Sequence, residues 1–386
     1  MNLCNTIIFR LLLLNLNNLV LKMKLTIIAG ARPNFIKIAP IIHAIDNNKG
    51  INKNITYRLV HTGQHYDAKM SDTFFEELKI PHPHANLACG GGTQAEQTAA
   101  IMIAFEKELI ANPADLVMVV GDVTSTMACA IVAKKLNTKV AHVEAGIRSF
   151  DLSMPEEINR MVTDSITDYY FTTSTWAGDN LRKAGVQEER IFFVGNVMID
   201  TLLANRHRFK KPACWDKLGL QQNNYLVMTL HRPANVDEGS VLKELISQIV
   251  TNVNGLPVIF PIHPRTAAIF TALGIHAPNL HIVDPLGYFE FNYLVQYAKA
   301  VITDSGGITE ETTVMGIPCI TLRDNTERPE TCLIGTNELI GTNPENIAPV
   351  MKKLFAGEWK KGAVPERWDG HAAERIIAQL AEMNLK

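Results

Sequence analysis

Residues 300–320 read AVITDSGGITEETTVMGIPCI. The apolar run at 300–303 has the length and composition of a buried strand. Asp304-Ser305-Gly306-Gly307 follows as a loop of small residues, and 308–315 reads as a helix closed by Gly316 and Pro318. Strand, glycine-rich loop and helix in that order form one unit of a parallel α/β sheet. The same junction turns free backbone N–H groups and the positive end of a helix dipole toward an anion. Two glycines remove the Cβ atoms that would hold a diphosphate away. Ser305 offers a hydroxyl, and Glu311 lies one helical turn inside. The pattern is neither G-x-x-x-x-G-K-[ST] nor G-x-G-x-x-G, which argues against a P-loop NTPase and an ordinary dinucleotide site. It predicts a nucleotide or sugar-nucleotide ligand. The competing reading is a tight turn that needs two glycines for its own backbone.

The same rhythm runs outward in both directions. Strand patterns at 25–29, 57–61, 116–120, 140–143 and 170–172 precede Gly195, and others at 225–230, 257–262, 281–283 and 318–322 follow it. Helical patterns alternate with them, which predicts an α/β fold with parallel sheets. We expect two Rossmann-like domains facing an interdomain cleft, over 23–194 and 195–366. An amphipathic C-terminal helix within 367–386 is expected to pack back on the first. The segment 206–224, with Pro212 and a polar run, reads as a linker or exposed loop. A chain of 386 residues has the length of about two domains. Residues 1–22 look like a signal or anchor, but Arg10, Asn15, Asn17 and Asn18 interrupt the run and no A-x-A-like cleavage site follows. A core strand begins directly after Met23, so 1–22 is expected to be a non-core extension or a weakly membrane-associating tail.

Composition bounds the partners. A net charge of −2 leaves no electrostatic footprint for nucleic acid, so an anionic ligand must be met by local cations. None of the six cysteines forms C-x-x-C, and no Cys/His cluster has zinc spacing. We therefore expect no metal and a reduced, cytoplasmic setting.

In open α/β sheets, ligands bind beyond the carboxyl ends of the strands, and that rule filters the polar residues. Arg32 and Lys37 follow the first strand, where the helix dipole disfavours cations unless they serve a phosphate or carboxylate. Pro40 implies a kink or a late start in that helix. Asp122 and Glu144 end two apolar strands and form a general acid/base candidate pair. Asp122 reads equally as a helix N-cap, a role that Glu144 lacks. Glu156 and Glu157 open a helix behind Pro155, where acids suit the dipole. Glu156 and Arg160 share a face, as a surface ion pair or as part of a site. His231 ends a strand and can contact or protonate a leaving phosphate, or be structural. Arg323 follows the strand beside the glycine loop as a sugar-diphosphate contact. Glu327 and Arg328 read as an ordinary loop ion pair.

Together these segments resemble the UDP-N-acetylglucosamine 2-epimerase family. The motifs are GARPNFIKIAP at 30–40, TGQHYDAKM at 62–70, GDVTST at 121–126 and HVEAGIRSFDLSMPEEINR at 142–160. VGNVMID at 194–200, TLHRPANVD at 229–237, TDSGGITEE at 303–311 and RDNTERPE at 323–330 follow in order. The resemblance implies a glycosyltransferase-B-type fold, a homodimer and a UDP-sugar substrate held mainly by the C-terminal half. It also implies that Asp122, Glu144 and Glu156 are catalytic acids, with His231 near the diphosphate. Arg32, Lys37, Phe291, Ser305, Gly306, Gly307, Glu311 and Arg323 fall on substrate-binding positions. Tyr66 follows Gln64-His65 where many bacterial members carry Arg near a second, activating substrate site. Leu286 replaces a glutamine common near the uracil pocket.

The implied chemistry needs no hydride cofactor. A base removes the C2 proton as UDP leaves C1, giving a 2-acetamidoglucal. UDP then adds back after protonation on the other face. UDP-GlcNAc and UDP-ManNAc are the expected pair, supplying ManNAc-type sugars for surface polysaccharide. The alternatives are a 2-epimerase of a UDP-2,3-diacetamido uronic acid, a hydrolysing enzyme releasing ManNAc and UDP, a glycosyltransferase on the same fold, and a non-enzymatic nucleotide-sugar sensor.

Overall fold

The computed structural model describes residues 22–47, 54–64, 75–232, 235, 239–262, 270 and 274–383. The expectations for 1–21 and for Tyr66 lie outside them. Two parallel sheets organise the chain. The first has seven strands in the order β3-β2-β1-β4-β5-β6-β7. They are β1 (Met23–Ala29), β2 (Ile55–His61), β3 (Ala85–Asn86), β4 (Leu116–Val120), β5 (Lys139–Val143), β6 (Tyr169–Thr172) and β7 (Ile191–Phe193). The second has six in the order β10-β9-β8-β11-β12-β13. They are β8 (Leu226–Thr229), β9 (Val258–Pro261), β10 (Leu280–Val283), β11 (Ala300–Thr303), β12 (Cys319–Thr321) and β13 (Asn337–Leu339). Both orders reverse direction once, between β1 and β4 and between β8 and β11. Those switch points are where an open sheet leaves a crevice at its carboxyl edge.

Every strand pair is parallel, and both faces of the sheets are covered. The central strands β4 and β11 are buried along their whole length, as LVMVV and AVIT. The first sheet is flanked by α1 (Arg32–Asn47), α2 (Gln94–Ala111), α3 (Thr124–Lys135), α4 (Pro155–Ile166), α5 (Thr175–Lys183) and α6 (Val197–Asn205). The second carries α7 (Ala213–Lys217), α8 (Gly239–Asn252), α9 (Tyr288–Tyr297), α10 (Gly306–Met315), α11 (Pro329–Leu333) and α12 (Ile347–Phe355). The last helix, α13 (Ala372–Glu382), packs on α1 and α6. Asp200 of α6 caps its start by accepting from the backbone N–H groups of Ala372 at 3.1 Å and Ala373 at 2.7 Å.

Several local expectations change. The helix after the glycine loop begins at Gly306, so both glycines sit in its first turn. Helix α1 starts at Arg32 and runs through Pro40 to Asn47, so Pro40 neither delays nor ends it. The segment 206–224 is no plain linker: it holds a 3-10 turn and α7, whose Trp215 packs edge-on against Tyr225, Tyr293 and Tyr297. The short strands β3, β7 and β13 were not legible, because two or three residues carry too little period to register. Among the described residues no helix is long and apolar enough to cross a membrane.

Candidate active site

Glu144 follows β5 with φ of +71°, a left-handed backbone that a non-glycine residue adopts only where its surroundings hold it. Here the holding is visible: the backbone N–H groups of Glu144 and Ala145 both donate to the Phe171 carbonyl, at 3.0 and 3.1 Å. The strain turns the Glu144 side chain onto Lys37 of α1, whose Nζ donates to Oε2 at 2.6 Å. Lys37 passes close to Gly121, where an added Cβ would come within 3.1 Å of Nζ. Parallel pairing of β4 with β5 sets Asp122 beside this point. Arg160 of α4 donates to Asp122 Oδ2 at 2.9 Å and to Glu157 Oε2 at 3.0 Å.

Helix α4 therefore works differently from the one-face reading. Arg160 pairs with Glu157 and Asp122, while Glu156 is exposed and makes no ion pair among the described residues. Glu157 is the buried acid, accepting from Ser149 and Phe150 in the loop after β5. Asp122 is no helix cap either: Val123 takes the N-cap position of α3, with no side-chain cap hydrogen bond.

The second sheet brings its own groups to the same place. Arg328 reaches across to Glu144, Nη2 to Oε2 at 3.3 Å, and its Nε donates to Glu310 Oε1 at 2.5 Å. Glu310 also accepts from Asn196, the N-cap of α6, at 2.9 Å. Glu327 pairs with Arg323 at 2.7 Å. The adjacent Glu327 and Arg328 are thus not a loop pair; each belongs to a different buried contact. Asn325 donates to Asp151 at 3.2 Å, a further link between the halves. In the glycine loop, a Cβ on Gly306 would meet Glu327 Oε1 at 2.7 Å, so a side chain there must displace the carboxylate that pairs with Arg323. Ser305 is the N-cap of α10 and makes no side-chain cap bond.

His231 is exposed, and its Nδ1 lies 2.7 Å from the fully buried Asp304. Asp304 also accepts from the backbone of His231 and Arg232 and from Asn235. Glu311 is buried and accepts from the Tyr288 hydroxyl at 2.7 Å. Phe291, half-buried on α9, packs with the cluster around Tyr225 and Leu294. Arg32 is half-buried at the start of α1, with Glu77 as its charged neighbour.

Electrostatics divides these groups. Burial pushes the Glu144 carboxyl up, but Lys37 and Arg328 outweigh it and hold it below the usual range. Burial would lower Lys37, yet Glu144 and Asp122 carry it above the ordinary lysine value. Burial also opposes ionisation of Glu327, which Arg323 and Arg328 nevertheless hold at about 2. Glu311 and Glu330 are each pushed up to about 7, chiefly by burial. Among the described residues, Glu144 Oε1, Arg160 Nη2, Arg323 Nη1 and Arg328 Nη1 are buried without a hydrogen-bond partner. Buried polar atoms of this kind are costly unless a ligand satisfies them.

Sequence reading missed Arg328, Glu310, Glu157 and Asp304. Arg328, Glu310 and Asp304 were visible in RDNTERPE and TDSGGITEE, but each has a partner far along the chain; Glu157 was visible in MPEEINR, but its burial was not.

Two parallel sheets whose carboxyl ends converge on one buried set of charges define a protein of glycosyltransferase-B-type fold. A family model described as UDP-N-acetylglucosamine 2-epimerase matches residues 49–381, and the chain belongs to that family. It is similar to the UDP-N-acetylglucosamine 2-epimerase of Methanocaldococcus jannaschii, with 41% identity over 372 residues, 93% of this chain and 99% of that protein. It is also similar to the UDP-2,3-diacetamido-2,3-dideoxy-D-glucuronate 2-epimerase of Pseudomonas aeruginosa, with 39% identity over 365 residues, 94% of this chain and 100% of that protein. The crystal structure of the M. jannaschii enzyme in complex with UDP-GlcNAc and UDP matches with a TM-score of 0.82 and 40% identity, covering 94% of this chain and 100% of that one.

Proposed function

We propose that the protein interconverts UDP-GlcNAc and UDP-ManNAc by elimination and re-addition of UDP. The observation that carries this is Glu144: a strained, ionised, buried carboxylate with one free oxygen, facing unsatisfied guanidinium nitrogens from the opposite sheet. A base abstracts the C2 proton while the C1–O bond breaks and its electrons leave with UDP, giving a 2-acetamidoglucal. Return of UDP to C1, with protonation of C2 from the opposite face, completes the inversion. Glu144 and Asp122 serve the proton transfers. Glu156, exposed in the first turn of the helix whose Arg160 pairs with Asp122, is the third acid and exchanges protons with water. The Ser305-Gly306-Gly307 turn, Arg323 and Arg328 hold the diphosphate, with Lys37 and Arg160 balancing the acids and His231 at the leaving group. Glu311 and Phe291 lie on the nucleoside side, and Arg32 at the sugar side. No nicotinamide or metal is required.

A second reading, 2-epimerisation of a UDP-2,3-diacetamido uronic acid, is favoured by similarity to the P. aeruginosa enzyme. One experiment separates them. UDP-GlcNAc incubated with the protein in D2O should give UDP-ManNAc with deuterium at C2 by proton NMR. Retention of the C2 proton in the product refutes elimination. Accumulation of free ManNAc makes the enzyme hydrolysing, and an inert UDP-GlcNAc beside a reactive diacetamido uronate selects the second reading.

The working unit is a homodimer. Helices α2, α3 and α4 cover one core cluster, and their outer face exposes Ile103, Ile110, Ile158 and Met161 at 58%, 63%, 48% and 46%. An apolar face of this kind suits a second copy.

A further inference from the structure

His142 lies on β5 two residues before Glu144 and is fully buried. Its Nδ1 stands 2.7 Å from Asp164 Oδ1, and its Nε2 stands 2.8 Å from the Gly121 carbonyl oxygen. A carbonyl oxygen only accepts, and so does an ionised carboxylate. Both ring nitrogens must then donate, and an imidazole that donates twice carries two protons and a positive charge. Asp164 is fit to be the ionised partner. Its Oδ2 accepts from the Gly146 backbone at 3.0 Å and pairs with Arg148 Nη1 at 2.6 Å. Burial pushes this carboxyl up, but His142 and Arg148 hold it below the usual range. One anion with two cations leaves a net positive charge behind the strand tips.

The contacts reach both proton-transfer candidates. Gly121, whose carbonyl His142 holds, immediately precedes Asp122. Gly146, held by Asp164, ends the turn that carries Glu144. Asp164 belongs to the same helix as Arg160, which pairs with Asp122. The titratable and charged groups on the surrounding elements are Asp164 and Arg160 on α4, Glu144 and Arg148 after β5, Asp122 after β4 and Tyr170 on β6. The Tyr170 hydroxyl donates to the Asp164 carbonyl at 2.8 Å. Of these groups only Asp164 hydrogen-bonds the ring. We infer that His142 is a buried imidazolium that positions Asp122 and Glu144 and favours the ionised form of Glu144. Its positioning role rests on the proposed epimerase reaction; its charge does not.

Neutron diffraction from crystals of the deuterated full-length protein near neutral pH reads the charge directly. Deuterium on both ring nitrogens of His142 is expected, and a bare ring nitrogen overturns the inference whether or not UDP-GlcNAc is turned over. The kinetic arm is His142→Gln, a neutral side chain that cannot donate to both acceptors as imidazolium does. UDP binding should be retained while kcat falls on the order of 10²-fold, as for a small displacement of reacting groups. The acidic limb of the kcat profile should move to higher pH, because losing a nearby cation favours protonated Glu144. A limb that stays in place, with or without a fall in kcat, overturns the positioning role as stated. Should the variant fail to fold, the neutron result decides alone.

Discussion

Replacing Glu144 by Gln separates catalysis from binding and stability in one variant. The parent carboxylate neutralises Lys37 at 2.6 Å and Arg328 at 3.3 Å, with all three side chains at most 10% exposed. Removing one partner of a buried ion pair leaves an uncompensated charge and costs about 3–5 kcal/mol. Glutamine keeps the volume and one carbonyl acceptor, which places the loss at the lower end, about 3 kcal/mol. In the proposed complex the diphosphate of UDP restores negative charge beside Lys37 and Arg328. The ligand should therefore recover much of that loss, and UDP should bind at least as tightly as to the parent. Turnover should nevertheless fall about 10²–10⁴-fold, the range for loss of a general base. The assays are deuterium incorporation at C2 for kcat, calorimetry for UDP affinity and thermal unfolding with and without UDP. The expected pattern is a lowered Tm without ligand, a smaller gap with ligand, intact UDP binding and near-loss of turnover. Near-parental kcat refutes Glu144 as the base, and lost UDP affinity refutes the charge argument.

Four further outcomes follow from the geometry. Arg328→Met should weaken UDP binding about 10–100-fold, since a hydrogen bond to a charged group contributes about 1.5–3 kcal/mol; unchanged affinity by calorimetry excludes Arg328 from the diphosphate site. Gly306→Val should weaken UDP binding, because its Cβ would sit 2.7 Å from Glu327 Oε1 and displace the carboxylate that pairs with Arg323, and normal binding shows that the loop does not hold the anion. Glu311 stands at about 7 when folded against an ordinary 4.5. The folded state thus holds a proton that the unfolded chain releases, and stability is lost as pH rises from about 4.5 to 7, by about 3 kcal/mol in total. Glu311→Gln should reduce the fall of the urea midpoint over that window, leaving the share of Glu330, which is raised to the same value, and an unaltered slope refutes the assignment. Ile103→Glu should convert the proposed dimer to monomers in sedimentation, whereas an unchanged mass places the interface elsewhere.

The strand–loop–helix at 300–320 was legible because apolar runs, glycines and helix boundaries are local signals. So was the parallel α/β class, since alternating patterns leave few other folds. Placing Asp122 and Glu144 on adjacent strand tips needed only the rule that ligands sit at carboxyl ends, and β4 does pair with β5. Helix rotation was not legible: Glu156 and Glu157 look alike in MPEEINR, and only the packing of α4 shows that Glu157 faces inward. Nor could ERPE tell Arg328 from an ordinary loop cation, because its partner Glu144 lies 184 residues away in the other half. His142 read simply as part of a strand, and its two acceptors come from a neighbouring strand tip and a helix. The sequence by itself determined which local elements form and which chemical groups are present, since these depend on nearest neighbours along the chain. The tertiary structure alone decided which charges meet, because ion-pair energies depend on distance and burial across the closed fold.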